Sequence, residues 1–222
     1  MREMLRASLM AVILLAALLP VAAPGQQAAV FEVDFKNEGV TPSNWKITLN
    51  SDGSGQFDSW GGHAQPQDSN LITAGEVHRP IQLGREFTDH VFEIAKKRKL
   101  FAFPCESHMK VAFQGSKRFS YSGPEGSGSC EFNYSKDKEI QGLGDSMMAL
   151  ETTVQYGARL EKLLQHDRLG LDHEMENLAT AAHDGNAVEL GVIHDTLARI
   201  ASDEQVLERA RRKARLLMAQ PD

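Results

Sequence analysis

Apolar and polar residues alternate over several short stretches in the first half of the chain, as they do in half-buried β-strands. The stretch "AVFEVDF" at 29–35 alternates in this way. "WKITLNSDGSGQFDSW" at 45–60 does so on both sides of a Gly/Asp turn, so it predicts a β-hairpin. "EVHRPIQLG" at 76–84 predicts another short strand, and helical spacing follows from Phe87 to about Leu100.

A second strand-rich stretch, 104–135, contains both cysteines of the chain. Within it, "MKVAFQ" at 109–114 and "RFSYSG" at 118–123 predict a hairpin around "GSK". "GPEGSGS" predicts a turn, and "CEFNYS" at 130–135 predicts a third strand. Strands, a helix and further strands therefore occupy residues 29–135.

The first of these hairpins, the helix and the second hairpin together resemble a known plan. Small exported bacterial domains of unknown function carry a "DGSG"-type hairpin, a helix and a "KVAFQGSKRFSY"-type hairpin, and this chain is similar to them over about residues 45–155. The resemblance implies a β-hairpin and helix fold. It supplies no catalytic residue.

From residue 136 onward the strand pattern is replaced by helical periodicity. The spacing predicts helices near 137–166, 171–184, 187–201 and 203–219. Asn186 is the expected cap of the third helix, and Ser202 with Gln205 forms an expected capping box for the fourth. The predicted fold class is α+β, with antiparallel β-hairpins and a packed helix at 29–135 and an all-α region of about four helices at 136–220. The pattern leaves open whether the long helix joins both regions in one core.

The N-terminus has the three-part pattern of a secretory signal peptide. Arg2 and Arg6 precede a charge-free apolar run of 17 residues, and small residues follow at Ala23 and Gly25. The alternative, a membrane anchor, needs about 20 apolar residues, and Pro20 near the end of the run disfavours it. We therefore expect residues 1–25 to be removed and the mature protein to be periplasmic or secreted.

The net charge of the chain disfavours nucleic acid as a partner. The formal net charge is −6 for the whole chain, and removal of two Arg and one Glu with residues 1–25 makes it −7. An acidic chain lacks the electrostatic field of a nucleic-acid binder. The cationic run "KKRK" at 96–99 is interpreted as the C-terminal end of a helix, where the helix dipole favours positive charge.

Cys105 and Cys130 are expected to form a disulfide, because disulfides persist in the oxidising space outside the cytoplasm. A closed loop of this length stabilises a fold by about 3–4 kcal/mol in the chain-entropy account. A zinc site would need more ligands than "CESH" and Cys130 supply. A thiol nucleophile would need a histidine base and an orienting group. Both alternatives stay open.

Four histidines of the helical region lie next to carboxylates. They are the candidate metal ligands His166, His173, His183 and His194. His-Asp pairs also recur in metal-dependent phosphohydrolases, but neighbouring residues on a helix point about 100° apart and do not chelate one ion. The HExxH and ExxH patterns are absent. Polar residues at helix ends are therefore the favoured interpretation, and no metal or cofactor is assigned.

Other motifs are weak. "DGSG" at 52–55 lacks the acidic residues of a calcium loop, no GxSxG elbow accompanies the Ser, His and Asp residues, and no phosphate-binding GxxxxGK[ST] occurs.

The "ERARRKAR" stretch at 208–215 holds five cations and one Glu. It predicts either a solvated helix end or a face that docks an acidic protein, an anionic lipid surface or a second copy of the chain.

No coherent catalytic constellation emerges from these motifs. The sequence therefore favours a non-catalytic binding, scaffolding or assembly protein, which meets a protein partner or a second copy through the helical region. The alternative hypothesis is a metal-binding or metal-dependent hydrolytic protein that uses the four histidines. Small-molecule binding in a cleft of the β-rich region is a third hypothesis.

The mass of the mature protein, exported by its host, tests the predicted signal cleavage and the predicted disulfide together. Cleavage after Gly25 leaves a chain that starts at Gln26, and the Cys105–Cys130 bond lowers the mass by two hydrogens. Intact-mass spectrometry with and without reductant measures both. A retained N-terminus or two free thiols would show that the assignment of compartment is wrong.

Overall fold

The computed structural model describes residues 28–62 and 75–220. The expected signal peptide and most of the predicted 61–75 loop lie outside the described residues. The six strands of the described chain are β1 Val30–Lys36, β2 Asn44–Asn50, β3 Ser54–Trp60, β4 Val77–Gln82, β5 Ser116–Gly123 and β6 Gly126–Phe132. The five α-helices are α1 Arg85–Lys97, α2 Lys138–His166, α3 Leu171–His183, α4 His194–Ser202 and α5 Glu208–Met218.

The strands form one antiparallel sheet in the order β4-β3-β2-β1-β5-β6. Together with the helices, this sheet confirms the predicted α+β class with a helical C-terminal region. Alternation decides which side chains face inward: in β1, for example, Phe31, Val33 and Phe35 are buried while the residues between them are partly exposed. One face of the sheet is therefore apolar and covered, and the other is polar.

The predicted "DGSG" turn joins β2 to β3. Gly53 has a φ of 84°, which glycine adopts at no steric cost. The Asp52 carboxylate accepts hydrogen bonds from the backbone N–H of Ser54 at 2.9 Å and from its hydroxyl at 2.6 Å. These bonds lower the pKa of Asp52, the hydroxyl bond contributing most. The side chain thus stabilises the turn.

The main core lies between the inner face of the sheet and the helices α1 and α2. Its centre is a cluster of phenylalanine rings whose centroids lie 5.1–5.6 Å apart in tilted and edge-to-face pairs, formed by Phe31, Phe101, Phe119 and Phe132. The first five turns of α2, from Ile140 to Ala158, pack on this core. The last turns, from Leu160 to Leu164, pack instead in a second core with α3, α4 and α5.

Oppositely charged helix ends meet where α1 finishes and α2 begins. Asp137 caps α2 by accepting from the N–H groups of Glu139 and Ile140. Arg98, just after α1, donates to Asp137 at 3.1 Å and to Glu139 at 2.7 Å, and Lys97 also pairs with Glu139. The cations of "KKRK" therefore end a helix, and they also bind the start of the next one.

Four local predictions are wrong. Most of the predicted "GPEGSGS" turn is strand, because β6 begins at Gly126 within it. "MKVAFQ" is not a strand, because β5 already pairs with β1 on one side and β6 on the other and has no free edge. A short 3₁₀ turn at Leu190–Ile193 precedes α4, so Asn186 is not its cap. Ser202 ends α4 and donates to the carbonyls of Ala198 and Arg199, so the expected capping box does not form and α5 begins only at Glu208.

Among the described residues, no helix has the length and apolarity that crossing a membrane requires.

Replacing Gly157 with alanine is expected to destabilise the protein by about 1–2 kcal/mol, because the new Cβ would collide with Cγ2 of Ile193 where α2 meets the 3₁₀ turn. Gly142→Ala, in the same helix, is the matched control. Its Cβ meets nothing within 4 Å, so higher helix propensity should stabilise by up to about 1 kcal/mol. Urea unfolding of both variants measures the difference. Equal shifts of the same sign would contradict this account of the helix contact.

Candidate functional site

The Cys105–Cys130 disulfide is present, as the sequence predicts. The two Cα atoms are 5.7 Å apart, both residues are buried, and the chain between them contains β5 and most of β6. No free cysteine remains. Neither residue is therefore available as a nucleophile or as a metal ligand in this state.

Immediately after Cys105 the chain exposes seven consecutive residues, 108–114, which we name the presented segment. It has no regular secondary structure. Three apolar side chains occupy alternate positions: Met109 is 51% exposed, Val111 40% and Phe113 63%. Three apolar side chains in one short exposed run are a candidate contact surface, whereas apolar residues scattered singly need no explanation.

Hydrogen bonds hold this segment at its first and last residues. The Glu106 carboxylate accepts from the backbone N–H of Asn133 at 2.7 Å and of His108 at 3.1 Å. These bonds, that from Asn133 above all, lower the pKa of Glu106. At the other end, the side-chain amide of Asn133 accepts from the N–H of Gln114 at 2.7 Å and donates to the carbonyl of Ala112 at 3.2 Å. The segment is exposed and yet anchored to the end of β6.

A buried lysine supports the same anchor from inside the domain. Lys117 is 2% exposed, and its ammonium group donates to the carbonyls of Asn133 at 3.1 Å and Gly115 at 3.4 Å. Burial lowers the pKa of Lys117. Gly115 has a φ of 114°, and a Cβ there would fall inside the ring of Phe35. The fold therefore fixes both ends of the presented segment.

The candidate metal ligands do not form a site. His166, His173, His183 and His194 are all exposed. The imidazole Nδ1 of His183 lies 3.0 Å from its neighbour Asp184, and that of His194 lies 3.6 Å from Asp195. In the described ranges, no group of three or more His, Cys, Asp or Glu side chains could hold a metal ion.

The cations of the last helix are largely neutralised within the molecule. Arg209 pairs with Asp172 at 2.7 Å, and Lys213 pairs with Glu176 and lowers its pKa. Arg211 and Arg215 each lie 2.6 Å from Glu208. Four of the five cations of "ERARRKAR" therefore have carboxylate partners on α3 or α5, which weakens the case for a basic docking face.

Charged side chains on the solvent-facing side of the sheet also pair with one another. Strand register lines up one row of alternating charge across all six strands, formed by Glu131, Arg118, Asp34, Lys46, Asp58 and His78. Lys46 also lies 2.9 Å from Glu32, and the hydrogen bond to Glu32 is the main reason why the pKa of Lys46 is raised. His78 Nδ1 lies 2.8 Å from Asp58. Cross-strand pairs of opposite charge stabilise a solvated sheet face.

The described clefts are open to solvent. One groove of about 930 Å³ beside α1 is lined mainly by charged residues, with Phe87 and Val188 as its apolar walls. Two smaller clefts, of about 240 and 330 Å³, lie on either side of Arg79. There the Glu161 carboxylate accepts from Arg79 at 2.8 Å and from the Thr196 hydroxyl at 2.8 Å. Ligand pockets are usually more enclosed than these clefts.

One buried acid lies under the sheet. Glu151 of α2 is 9% exposed, and burial raises its pKa to about 7, although Arg159 and hydrogen bonds with Gln155 and Thr152 oppose the shift. Gln155 in turn donates to the Ser59 hydroxyl of β3 at 3.0 Å. A strongly shifted carboxyl is one mark of a functional site. Here its hydrogen-bond partners are the side chains of Gln155 and Thr152, and Gln155 links it to the sheet at Ser59.

Sequence reasoning missed the anchor of the presented segment. Glu106, Lys117 and Asn133 are far apart along the chain and belong to no motif. The alternation of Met109, Val111 and Phe113 was the visible signal, and it was interpreted as a strand. No pattern in the sequence distinguishes a strand that joins the sheet from an exposed segment that stays outside it.

Known proteins offer no assignment for this site. No protein-family description matches the chain, and a search of curated proteins finds no significant relative.

Glu151 should make stability depend on pH. Its pKa in the folded protein, about 7, lies above the unfolded value of about 4.3. The contribution of Glu151 to the free energy of unfolding is therefore fully present below pH 4.3 and is lost as pH rises towards 7. The loss amounts to about 3 kcal/mol. Glu151→Gln should remove this slope, which urea unfolding at pH 4.5, 6 and 7.5 measures against the wild type (about 1 kcal/mol resolution is sufficient). An unchanged slope in the variant would refute the assignment.

Proposed function

We propose that the protein is an exported, non-catalytic binding or assembly module that contacts its partner through the presented segment. The observation that carries the proposal is the anchoring of three exposed apolar side chains by a disulfide, a carboxylate and a side-chain amide. A rigid apolar surface binds well because little conformational entropy is lost on association.

Two further features support export and binding. The N-terminal pattern is that of a secretory signal, and the disulfide fits an oxidising compartment, periplasmic or extracellular. The open clefts and the separated histidines favour no particular enzymatic reaction.

The presented segment replaces the helical region, which the sequence favoured, as the proposed partner-binding surface. The cations of α5 are paired within the molecule, and the exposed apolar residues of that region stand alone on separate elements: Leu169 follows α2, Leu207 precedes α5, and Leu216 lies near its end. In the presented segment, by contrast, three apolar side chains occupy five consecutive positions. A contiguous surface is the better candidate for a binding hot spot.

Capture of complexes from the native host tests this proposal. We expect tagged wild-type protein to retain a stable complex. The double variant Met109→Ser, Phe113→Ser should capture at least about tenfold less of that complex. Both positions are exposed, so the substitutions should leave stability within about 0.5 kcal/mol.

Leu169→Ser is the matched control, because Leu169 is 75% exposed and lies in the helical region. It should retain the complex. Loss in the control with retention in the double variant would move the contact to the helical region. A wild-type protein that forms no complex at all would refute the binding function.

A further inference from the structure

The groove of about 930 Å³ beside α1 has walls from two distant parts of the chain. One wall is α1, and the other includes Val188, which lies just before the 3₁₀ turn at Leu190–Ile193. Its apolar side chains, Phe87 and Val188, pack against the main core and are still partly exposed. A groove with an apolar floor suits the apolar face of an amphipathic peptide segment.

Hydrogen bonds join the two walls behind the groove. The carboxylate of the buried Glu189 accepts from the backbone N–H of Gly84, the N-cap residue of α1, at 2.6 Å. The Thr153 hydroxyl of α2 donates to the Val188 carbonyl at 2.7 Å. Glu189 has a φ of 54°, a left-handed conformation that a residue with a side chain keeps only where its surroundings enforce it. The groove is therefore formed before any ligand binds, which lowers the entropy cost of association.

The charge along the groove is negative. It is lined by the carboxylates of Glu86, Asp89 and Glu93 and by the guanidinium of Arg85, which lies 3.5 Å from Asp89. Among the described residues, Glu86 and Glu93 have neither an ion pair nor a hydrogen-bond partner for their carboxylates. The helix dipole favours Glu86 in the first turn, but Glu93 lies two turns further on and gains nothing from it. Two unpaired carboxylates beside apolar side chains are complementary to a ligand that is both cationic and apolar.

We propose that this groove docks a cationic amphipathic segment of a partner protein. The apolar side chains of that segment cover Phe87 and Val188, and its cations lie beside Glu86 and Glu93. The two carboxylates are separated by about 10.5 Å along α1, or about two turns. Lysine or arginine residues two turns apart on a docked helix match this separation.

This docking surface is separate from the presented segment. α1 follows Gln82, at the end of the sheet where β1 begins. The presented segment leads into Ser116, which pairs with Lys36 at the other end of β1. The contact at the groove is therefore additional to the one proposed above, and each can fail without the other.

A designed leucine–lysine peptide tests the charge and the apolar face of the proposed ligand. The probe is fluorescent and about four helical turns long, with all its leucines on one face. A scrambled peptide of the same composition and a leucine–glutamate analogue are the controls. Fluorescence anisotropy should show that the exported protein binds the probe at least about tenfold more tightly than either control. Equal binding of the probe and the scrambled peptide would overturn the proposal, because net charge alone would then explain the attraction, and so would the absence of binding.

Two charge reversals separate the groove from the overall field of the protein. Glu93→Lys and Glu204→Lys change the net charge equally, and both residues are exposed, but Glu204 follows α4 in the helical region. Glu93→Lys should weaken probe binding at least about tenfold, whereas Glu204→Lys should change it by less than about twofold. Equal losses would overturn the proposal. Loss only in the Met109→Ser, Phe113→Ser variant would overturn it too, but would leave the proposed function intact.

Discussion

The packing of α2 across the inner face of the sheet is the contact on which the rest of the structure depends. The helix spans 29 residues and takes part in both hydrophobic cores: the sheet core with its first five turns, and the α3–α5 core with its last. Because Gly157 lies against Ile193 without a Cβ, the 3₁₀ turn before α4 can approach the helix closely. The helix thereby joins the sheet and the helical region, because it contributes buried side chains to both hydrophobic cores.

Charge in this protein is used mainly within the molecule. The row of alternating charges on the sheet, the Arg98 cluster between α1 and α2, and the α3–α5 ion pairs each set cations beside carboxylates. Exposed pairs of this kind contribute little stability individually, but they leave few strong fields to attract a charged ligand. The apolar side chains of the presented segment, by contrast, stay exposed to solvent, and this is why we propose that the segment makes the binding contact.

Much of the fold could be predicted from the sequence because its determinants are local. Residues two to four positions apart decide the alternation in β1, β2 and β3, the Asp52–Gly53 turn and the helical periodicity of α2. The Cys105–Cys130 pair could also be predicted, since two cysteines have only one possible intramolecular pairing. The helix boundaries near 187–208 could not, because a 3₁₀ turn and the position of Ser202 depend on packing against α2 and α5.

The candidate site marks the limit of sequence reasoning. By itself, the sequence determined that residues 109–113 alternate, that two cysteines flank the region and that no motif of catalysis accompanies them. Only the tertiary structure decided that these residues stay outside the sheet, because β1 and β6 occupy both edges of β5. It also brought Glu106, Lys117 and Asn133 together from separate parts of the chain to anchor them. The alternation of side chains is local, whereas competition for a strand edge involves residues nearly 90 positions apart, from β1 to β5.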